Sequence, residues 1–321
     1  MDSYLIGFDM GATKMLCGVL DDKYQVIVKN KTRTKGSGNE AVFSTICRCI
    51  DECLAKLPSD GPRPSGIGIA CPGPIDDVDG VVRSAPNVGV ANFPLRRLLE
   101  ERYALPVRLE NDVNAGVYGE FVAGAARGKR HVIGLFPGTG LGGGIIINGE
   151  LYSGATGGAG EIGHMTVQTD GRICGCGGYG CLEALASRSA IAKDAIAAAA
   201  GGDAPVLYAE VGTSLRKVTS GVLKRSVDGG DVAVKRIVER AAYFLGIGMA
   251  NCVNIFNPQL IVIGGGLVEK FGSEYLGVAE RVMRERAMPS LADAVVVAAA
   301  ELGDYATVIG AAARLFGADR P

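Results

Sequence analysis

Residues 4–20 read YLIGFDMGATKMLCGVL, two short apolar runs on either side of a glycine-containing turn. The first run ends in Asp9, and a further apolar segment follows at residues 25–28 after the acidic pair Asp21-Asp22. Apolar runs separated by turn residues predict a meander of paired strands, with residues 10–14 at the tip of a hairpin. Backbone N–H groups at such a tip, the Thr13 hydroxyl and Lys14 can together bind phosphate oxygens.

The same pattern returns at residues 132–147, which read VIGLFPGTGLGGGIII. Gly138, Thr139 and Gly140 stand between two apolar runs, as Gly11 and Thr13 do in the first hairpin. A repeat distance of roughly half the chain predicts two related domains, each with one phosphate-binding hairpin. Two such hairpins could together hold the polyphosphate of a nucleotide.

The rest of the chain alternates between helical and strand patterns, which predicts an α/β protein. Residues 260–263 form a continuous apolar strand that leads into Gly264, Gly265 and Gly266. That triple glycine fits close approach by a nucleoside and fits a helix-packing turn equally well. We expect helices at residues 39–57, 94–105, 111–121, 183–200, 231–256, 271–287 and 305–316, and further strands at residues 66–71, 107–110 and 294–300.

A cluster of cysteines follows one of the two histidines of the chain. His164, Cys174, Cys176 and Cys181 fall within 18 residues and are surrounded by glycines, a ligand set that suits tetrahedral zinc with no open position. The alternative is that the three cysteines are buried as small hydrophobic residues. Glu161 and Glu183 flank the cluster, and a clamped loop would hold both carboxylates toward one cavity as acceptors for sugar hydroxyls.

Polar residues also follow two of the predicted strands. Pro72-Gly73-Pro74 forces a rigid turn after residues 66–71, and Asn111-Asp112 begins a helix after residues 107–110. Ligands bind at such strand ends in open sheets. The ordinary use of an aspartate at this junction is as a helix cap, and the alternative is a catalytic role for Asp112.

Composition excludes several classes of protein. The chain has 321 residues, 48% of them hydrophobic, which is enough for two domains with sizeable cores. A net charge of −1 without a basic run argues against nucleic acid or an anionic membrane as partner. No apolar run reaches the length of a membrane span, and no signal peptide precedes Tyr4. Six of the nine cysteines are scattered in apolar segments, as expected of reduced thiols in a cytoplasmic protein.

The chain resembles the ROK family of bacterial sugar kinases and repressors, within the actin-like ATPase superfamily. The resemblance runs end to end, and the cysteine cluster with its preceding histidine is its most specific part. It implies two actin-like (ribonuclease H-like) domains with a ligand cleft between them. We expect an N-terminal domain over residues 1–118, a C-terminal domain over residues 119–304, and a final helix at about 305–321 that packs back on the first. The matching stretches are DMGATK from Asp9, CPGP from Cys71, ENDVNA from Glu110, GTGLGGG from Gly138, EIGH from Glu161, CGCGGYGCLE from Cys174 and IGGG from Ile263.

The resemblance also implies the ligands. His164, Cys174, Cys176 and Cys181 would bind a structural Zn²⁺, and Asp9 would hold Mg²⁺ directly or through water. Asp112 would be the catalytic base that accepts the proton of the sugar's 6-hydroxyl as this oxygen attacks ATP. The residues expected to contact sugar are Gly73, Asn87, Asn111, Asp112, Glu161, His164 and Glu183. Those expected to contact ATP are Asp9, Gly11, Ala12, Thr13, Lys14, Gly138, Thr139, Gly140, Gly264 and Gly265.

The resulting prediction is an ATP-dependent hexose kinase, with glucose as the first choice of acceptor because it is frequent in the family. N-acetylmannosamine, N-acetylglucosamine, fructose, allose or a cyclitol would use the same polar residues. A repressor is disfavoured because the first hairpin starts at Tyr4, which leaves no room for a helix-turn-helix segment. A non-catalytic sugar-binding protein is disfavoured by Asp112 and both hairpins. The family implies a homodimer or homotetramer.

Overall fold

The fold is described here from a computed structural model, which describes residues 3–315. The chain forms two compact units, each built from segments distant in sequence. The first unit comprises residues 1–129, 145–159 and 301–321, and the second comprises residues 130–144 and 160–300. The predicted boundary near residue 118 stays a prediction.

The first unit contains a five-stranded sheet in the order β3-β2-β1-β4-β8. Strands β1, β2 and β3 are antiparallel neighbours, as the meander pattern predicts, whereas β4 runs parallel to both β1 and β8. The elements in this part of the chain are β1 (Tyr4–Met10), β2 (Lys14–Leu20), β3 (Val26–Arg33), α1 (Asn39–Leu54), β4 (Pro64–Cys71), β5 (Ile75–Asp76), β6 (Val81–Ala85), β7 (Val90–Phe93), α2 (Leu95–Tyr103), β8 (Val107–Asn111) and α3 (Asp112–Ala123).

A second five-stranded sheet has the order β11-β10-β9-β12-β13. Strand β12 runs parallel to both β9 and β13, and β10 and β11 are antiparallel. The elements are β9 (Val132–Pro137), β10 (Leu141–Ile147), β11 (Glu150–Leu151), α4 (Leu182–Ala186), α5 (Arg188–Ala200), α6 (Pro205–Val211), α7 (Ser220–Asp228), α8 (Val232–Phe256), β12 (Leu260–Ile263), α9 (Gly266–Phe271), α10 (Ser273–Arg286), α11 (Pro289–Ala294) and β13 (Val296–Ala299).

The two sheets repeat one strand order, in which a hairpin-forming pair is followed by two parallel strands that arrive through helical connections. Each repeat begins with one of the two glycine-containing hairpins. The duplication inferred from residues 4–20 and 132–147 therefore appears in the topology, and the predicted α/β class is confirmed.

The last helix, α12 (Ala306–Ala313), completes the first unit. Side chains of α1, including Ile46 and Ile50, share one buried cluster with Phe8 of β1, whereas Leu5 of the same strand shares another with Val308. Alternate residues of β1 thus point to opposite faces, and α1 and α12 cover the sheet from its two sides. The remainder of the expected final helix, beyond residue 315, lies outside the described residues.

The structure differs from the expected elements in three places. The stretch predicted as one helix over residues 183–200 is interrupted at Ser187, which has extended backbone angles and accepts a hydrogen bond from the N–H of Ala190 as the cap of α5. The helix expected at residues 271–287 is present as α10, which begins at Ser273 because Gly272, with a φ of 53°, lies outside the helical region. Residues 75–93, for which no strands were expected, form a three-stranded antiparallel sheet in the order β5-β6-β7.

No helix within residues 3–315 combines the length and the apolar character that crossing a bilayer requires.

Candidate active site and metal centre

The first hairpin has its tip at residues 11–13, between the closing pair Met10 and Met15. A Cβ on Gly11 would lie 2.4 Å from the carbonyl oxygen of Lys14, so this turn requires glycine. Thr34 fixes the tip from β3's side, since its hydroxyl donates to the Gly11 carbonyl at 2.7 Å. Ala12 and Thr13 are exposed at the tip, where their backbone and the Thr13 hydroxyl can reach a ligand.

Asp9 lies near the end of β1, and its carboxyl group gains or loses a proton near neutral pH. Burial, and secondly the negative charge of Asp112, raise its pKa from 3.8 to about 7, while Lys14 opposes the shift. Lys14 itself forms an ion pair with Asp304, from the segment just before α12. The three acids outnumber the one lysine, so this end of the first unit favours a bound cation.

The start of α3 is capped by Asn111 rather than by Asp112. The Asn111 Oδ1 accepts hydrogen bonds from the N–H groups of Val113 and Asn114 at 3.0 and 3.2 Å. Asp112 is the first helical residue, and its Oδ1 also accepts from Val113, at 2.9 Å. Asn111 therefore has the capping role that was the alternative interpretation of Asp112.

Behind this junction lies a mostly buried ion pair between Glu110 and Arg314, with an Oε2···Nε distance of 3.0 Å. The other carboxylate oxygen of Glu110 accepts from the backbone N–H of Asn111 at 3.1 Å. The residue next to Asp112 is thus fixed by a network that reaches the final helix.

The expected sugar residue Gly73 follows the carboxyl end of β4, whereas Asn87 lies in the loop after β6. Gly73 has a φ of 85°, and a Cβ there would lie 2.1 Å from the Ser84 carbonyl oxygen. Asn87 is exposed two residues beyond β6. Because Cys71 pairs with Asn111 across the parallel strands β4 and β8, the CPGP turn and the start of α3 leave the sheet at the same edge.

In the second unit, the hairpin at residues 137–141 is fixed by two charged side chains. Glu183 Oε2 accepts from the N–H of Leu141 at 2.9 Å, and a Cβ on Gly140 would lie 2.3 Å from this oxygen. Arg188 donates from Nη2 to the Thr139 hydroxyl at 2.7 Å. Both side chains come from the helices α4 and α5 that follow the cysteine cluster.

The triple glycine packs closely against the same hairpin. A Cβ on Gly264 would lie 2.3 Å from the Phe136 ring, and one on Gly265 would lie 2.9 Å from the Pro137 carbonyl oxygen. Packing alone therefore accounts for glycine at both positions. A nucleoside contact there stays a prediction.

The predicted metal ligands come together. One ligand atom each from His164, Cys174, Cys176 and Cys181 lies within 4.8 Å of the other three. The Sγ atoms of Cys176 and Cys181 are 3.8 Å apart, and the Cys174 Sγ is 3.6 Å from the His164 Nδ1. Tetrahedral zinc with bonds of about 2.3 Å to sulfur and about 2.05 Å to nitrogen requires separations of about 3.8 Å and about 3.6 Å for these pairs. The geometry fits that ion.

The surroundings of the loop shift the pKa values of its thiols in opposite directions. The backbone N–H of Gly178 lowers the pKa of the exposed Cys176 thiol. Burial, together with the neighbouring sulfurs of Cys176 and Cys174, raises the pKa of Cys181 to about 12. Because a ligating thiol must be deprotonated, metal affinity at this site falls with falling pH.

The second ring nitrogen of His164 is directed toward Glu161, with an Nε2···Oε2 distance of 3.8 Å. Glu161 is 71% exposed at its side chain, and Glu183 Oε1 lies 3.8 Å from the Cys174 Sγ. The three expected sugar residues of the second unit thus all adjoin the metal ligands.

Sequence patterns missed three residues of these sites. Asp304 pairs with a lysine 290 positions earlier, and Arg188 reaches a threonine 49 positions earlier. Thr34 directly follows β3, and the alternation of buried and exposed residues in that strand does not indicate the hydrogen bond from Thr34 to Gly11. No local pattern marks such partners, because only the folded chain brings them together.

Comparison with known proteins gives one consistent result. The ROK family profile matches residues 5–316. The glucokinase of Halalkalibacterium halodurans is 35% identical over 316 residues, 96% of this chain and 94% of that one. A putative xylose repressor of a Caldicellulosiruptor species is 32% identical over 96% of this chain and 77% of its own.

Among solved structures, the ROK family glucokinase from Streptomyces griseus in complex with glucose and AMPPNP has a TM-score of 0.82 and 32% identity, covering 97% of this chain and 98% of that chain. The resemblance inferred from the motifs is thereby confirmed. With its duplicated α/β sheets, two glycine hairpins and His/Cys cluster, this chain belongs to the ROK family.

Proposed function

We propose that the protein transfers the γ-phosphoryl group of ATP to the 6-hydroxyl of a hexose, with glucose as the preferred acceptor. Support comes from the glucokinase relative at 35% identity and from the glucose and AMPPNP complex of a 32% identical structure. The observation that carries the proposal is the position of Asp112, at the carboxyl edge of a parallel sheet beside Asp9 and not needed as the cap of α3.

Asp112 accepts the proton of the sugar hydroxyl as its oxygen attacks the terminal phosphate. Phosphoryl transfer needs little covalent chemistry from the protein, so positioning and charge stabilisation supply most of the acceleration. A positioned base adds about 10²- to 10⁴-fold. The Glu110–Arg314 pair and the Asn111 cap keep the backbone of Asp112 fixed during this step.

The phosphates bind to backbone N–H groups of the two hairpins, around Gly11 and Thr13 and around Gly138 to Gly140. Asp9 would hold Mg²⁺, which when bound would supply positive charge beside the phosphates and lower the raised pKa of this carboxyl. Lys14 exchanges Asp304 for a phosphate oxygen when the nucleotide binds.

The sugar hydroxyls donate to carboxylates and amides of the strand-end loops. The residues that we assign to this task are Gly73, Asn87, Asn111, Glu161, His164 and Glu183. A zinc ion bound by these four protein ligands would have no open position, so it would be structural and would hold the loop that carries the second-unit residues.

The function is tested by ADP release from ATP with about a dozen sugars. Formation of the sugar phosphate is then measured with ATP and with inorganic polyphosphate as alternative donors. Glucose is expected to give the highest kcat/KM with ATP. Highest activity with N-acetylmannosamine, fructose or another sugar would keep the kinase and replace the substrate. Absence of ADP release with every sugar would contradict the proposal.

A second candidate, sugar-responsive DNA binding, is favoured by matches to xylose repressors at 30–33% identity, among them the putative xylose repressor of the Caldicellulosiruptor species. Such a protein would bind sugar without sugar-dependent ADP release, so the same assay separates the two. We further propose a homodimer or homotetramer, which light scattering of the purified protein tests.

A further inference from the structure

Arg188 makes three hydrogen bonds from the start of α5. Its Nη1 donates to the carbonyl of Val218 at 2.9 Å, and its Nη2 donates to the Thr139 hydroxyl at 2.7 Å. Its backbone N–H donates to the carbonyl of Gly138, also at 2.9 Å. The residue therefore contacts the second hairpin through both its main chain and its side chain, while Val218 holds the guanidinium from the other direction.

The chemistry of these groups fixes the direction of the Thr139 hydroxyl. A guanidinium has donors and no acceptor, so the Thr139 oxygen must accept from Arg188. Its own hydrogen is then left for a different acceptor. Thr139 is exposed, so that acceptor can come from a ligand.

The hairpin also lacks a positive charge of its own. Residues 137–141, PGTGL, include no lysine and no arginine. Arg188 therefore brings a permanent charge to a loop whose other donors are backbone N–H groups. The break in the helix at Ser187 puts Arg188 in the first turn of α5, where its main-chain N–H is still available to Gly138.

We propose that Arg188 is a positioning residue for the phosphoryl donor: it fixes the Thr139 oxygen so that the hydroxyl hydrogen donates to a phosphate oxygen of ATP. The inference rests on the proposed function and extends it to a residue outside both hairpins. Lysine cannot replace arginine here, because one ammonium at the end of a flexible stem does not reproduce the fork between Val218 and Thr139.

A double-mutant cycle tests the proposal, with Mg²⁺–AMPPNP as the probe and its Kd measured by titration calorimetry. Arg188→Met and Thr139→Val are each expected to raise the Kd about tenfold, the effect of one lost charge-assisted or hydroxyl hydrogen bond. Because Arg188 acts through Thr139, the double variant is expected to show the same tenfold loss, not about a hundredfold. The KM for ATP should follow the Kd, while the Kd for glucose stays at the wild-type value.

Two further variants guard against a trivial loss of structure. Arg225→Met removes an exposed arginine of α7 that pairs with Glu210, and should bind the nucleotide as the wild type does. Arg188→Lys keeps the charge and the stem, and should still lose most of the affinity lost in Arg188→Met. Should Arg188→Met fold poorly, the cycle is run with Arg188→Lys instead.

Additive losses in the double variant would mean that Arg188 and Thr139 act separately, which overturns the inference. Wild-type affinity in either Arg188 variant would overturn it as well. In both cases, turnover of the wild-type protein with ATP would leave the kinase assignment intact. A wild-type protein that neither binds Mg²⁺–AMPPNP nor releases ADP would overturn the proposed function and this inference together.

Discussion

The carboxylate of Glu183 accepts a hydrogen bond from the backbone N–H of Leu141, with an Oε2···N distance of 2.9 Å. Leu141 is the last residue of the second hairpin and the first of β10, and Glu183 stands two residues beyond Cys181, one of the predicted metal ligands. One side chain thus joins the metal loop to the loop that we assign to phosphate. A glutamate expected only to contact sugar has a second, structural task.

The two tasks of Glu183 separate in two variants. Glu183→Gln keeps a carbonyl oxygen for the Leu141 N–H but loses the charge, so we expect a KM for glucose about tenfold higher and an unchanged KM for ATP. Glu183→Ala also loses the hydrogen bond to the Leu141 N–H, so the KM for glucose and the KM for ATP should both rise. Steady-state kinetics with each substrate varied in turn measures this. Equal effects of the two variants on ATP would contradict the second task.

The metal prediction concerns Cys176, whose side chain is exposed, so its removal leaves no cavity in the core. Cys176→Ala should lose zinc, because three ligands hold the ion far less tightly than four. We expect the Kd for glucose to rise about tenfold as the loop with Glu161 and Glu183 loosens. Metal analysis and sugar titration measure both quantities. Cys47→Ala, outside the loop, is the control and should retain one zinc per chain; a zinc-free wild type would refute the centre.

Asp9 should make the ligand-free protein less stable as pH rises. Its pKa is 3.8 ordinarily and about 7 in the fold, because of burial, Asp112 and Asp304, with Lys14 opposing. Between these values the folded carboxyl keeps a proton that the unfolded one has lost. The free energy of unfolding therefore falls from about pH 4 to about pH 7, by on the order of 4 kcal/mol from this group.

Asp9→Asn removes that dependence. At pH 8 the variant should be more stable than the wild type without ligands, and the difference should vanish near pH 4. Urea unfolding followed by circular dichroism measures this, since the chain has no tryptophan. Turnover should nonetheless drop, because the variant lacks the carboxylate that we propose as the Mg²⁺ ligand. The exposed Asp293→Asn variant is the control and should have the same unfolding free energy as the wild type. If the unfolding free energy of Asp9→Asn changed with pH in parallel with that of the wild type, the raised pKa of Asp9 would be contradicted.

Glu120 should be a major source of stability for the first unit. This fully buried carboxylate accepts from the N–H groups of Ala125, Glu301 and Leu302 at 2.8 to 3.1 Å. Glu120→Gln puts an amide donor against these donors, and should cost about 2 to 4 kcal/mol of unfolding free energy. Denaturant unfolding measures it. The exposed Glu285→Gln change should cost less than about 0.5 kcal/mol, and similar costs for both would contradict this role.

Much of the architecture was predictable because it depends on local sequence patterns. The apolar runs around Gly11 and Gly138 indicate strand pairs directly, and their recurrence indicates a duplicated fold. The His164 to Cys181 spacing indicates a metal centre because soft ligands among glycines have few other uses.

What could not be predicted depends on tertiary contacts. Ser187 was expected inside a helix because the alanine-rich sequence around it favours helix throughout. The break is stabilised by two contacts: the Ser187 hydroxyl accepts from the N–H of Ala190, and Arg188 donates to Thr139. Residues 75–93 have no clear alternation of apolar and polar positions, and their strands are recognised only from the pairing of β5 with β6 and of β6 with β7. Asp112 could not be told from a helix cap until Asn111 was seen in that role.

The central claim, that Asp112 takes the proton from the sugar, is tested most directly by the kcat of Asp112→Asn with saturating glucose and ATP. Asparagine keeps the shape and cannot accept the proton, so kcat should fall about 10²- to 10⁴-fold while the separately measured Kd for glucose changes less than about threefold. Circular dichroism should show the wild-type fold, because Asn111 remains as the cap. A kcat within about threefold of the wild type would contradict the assignment.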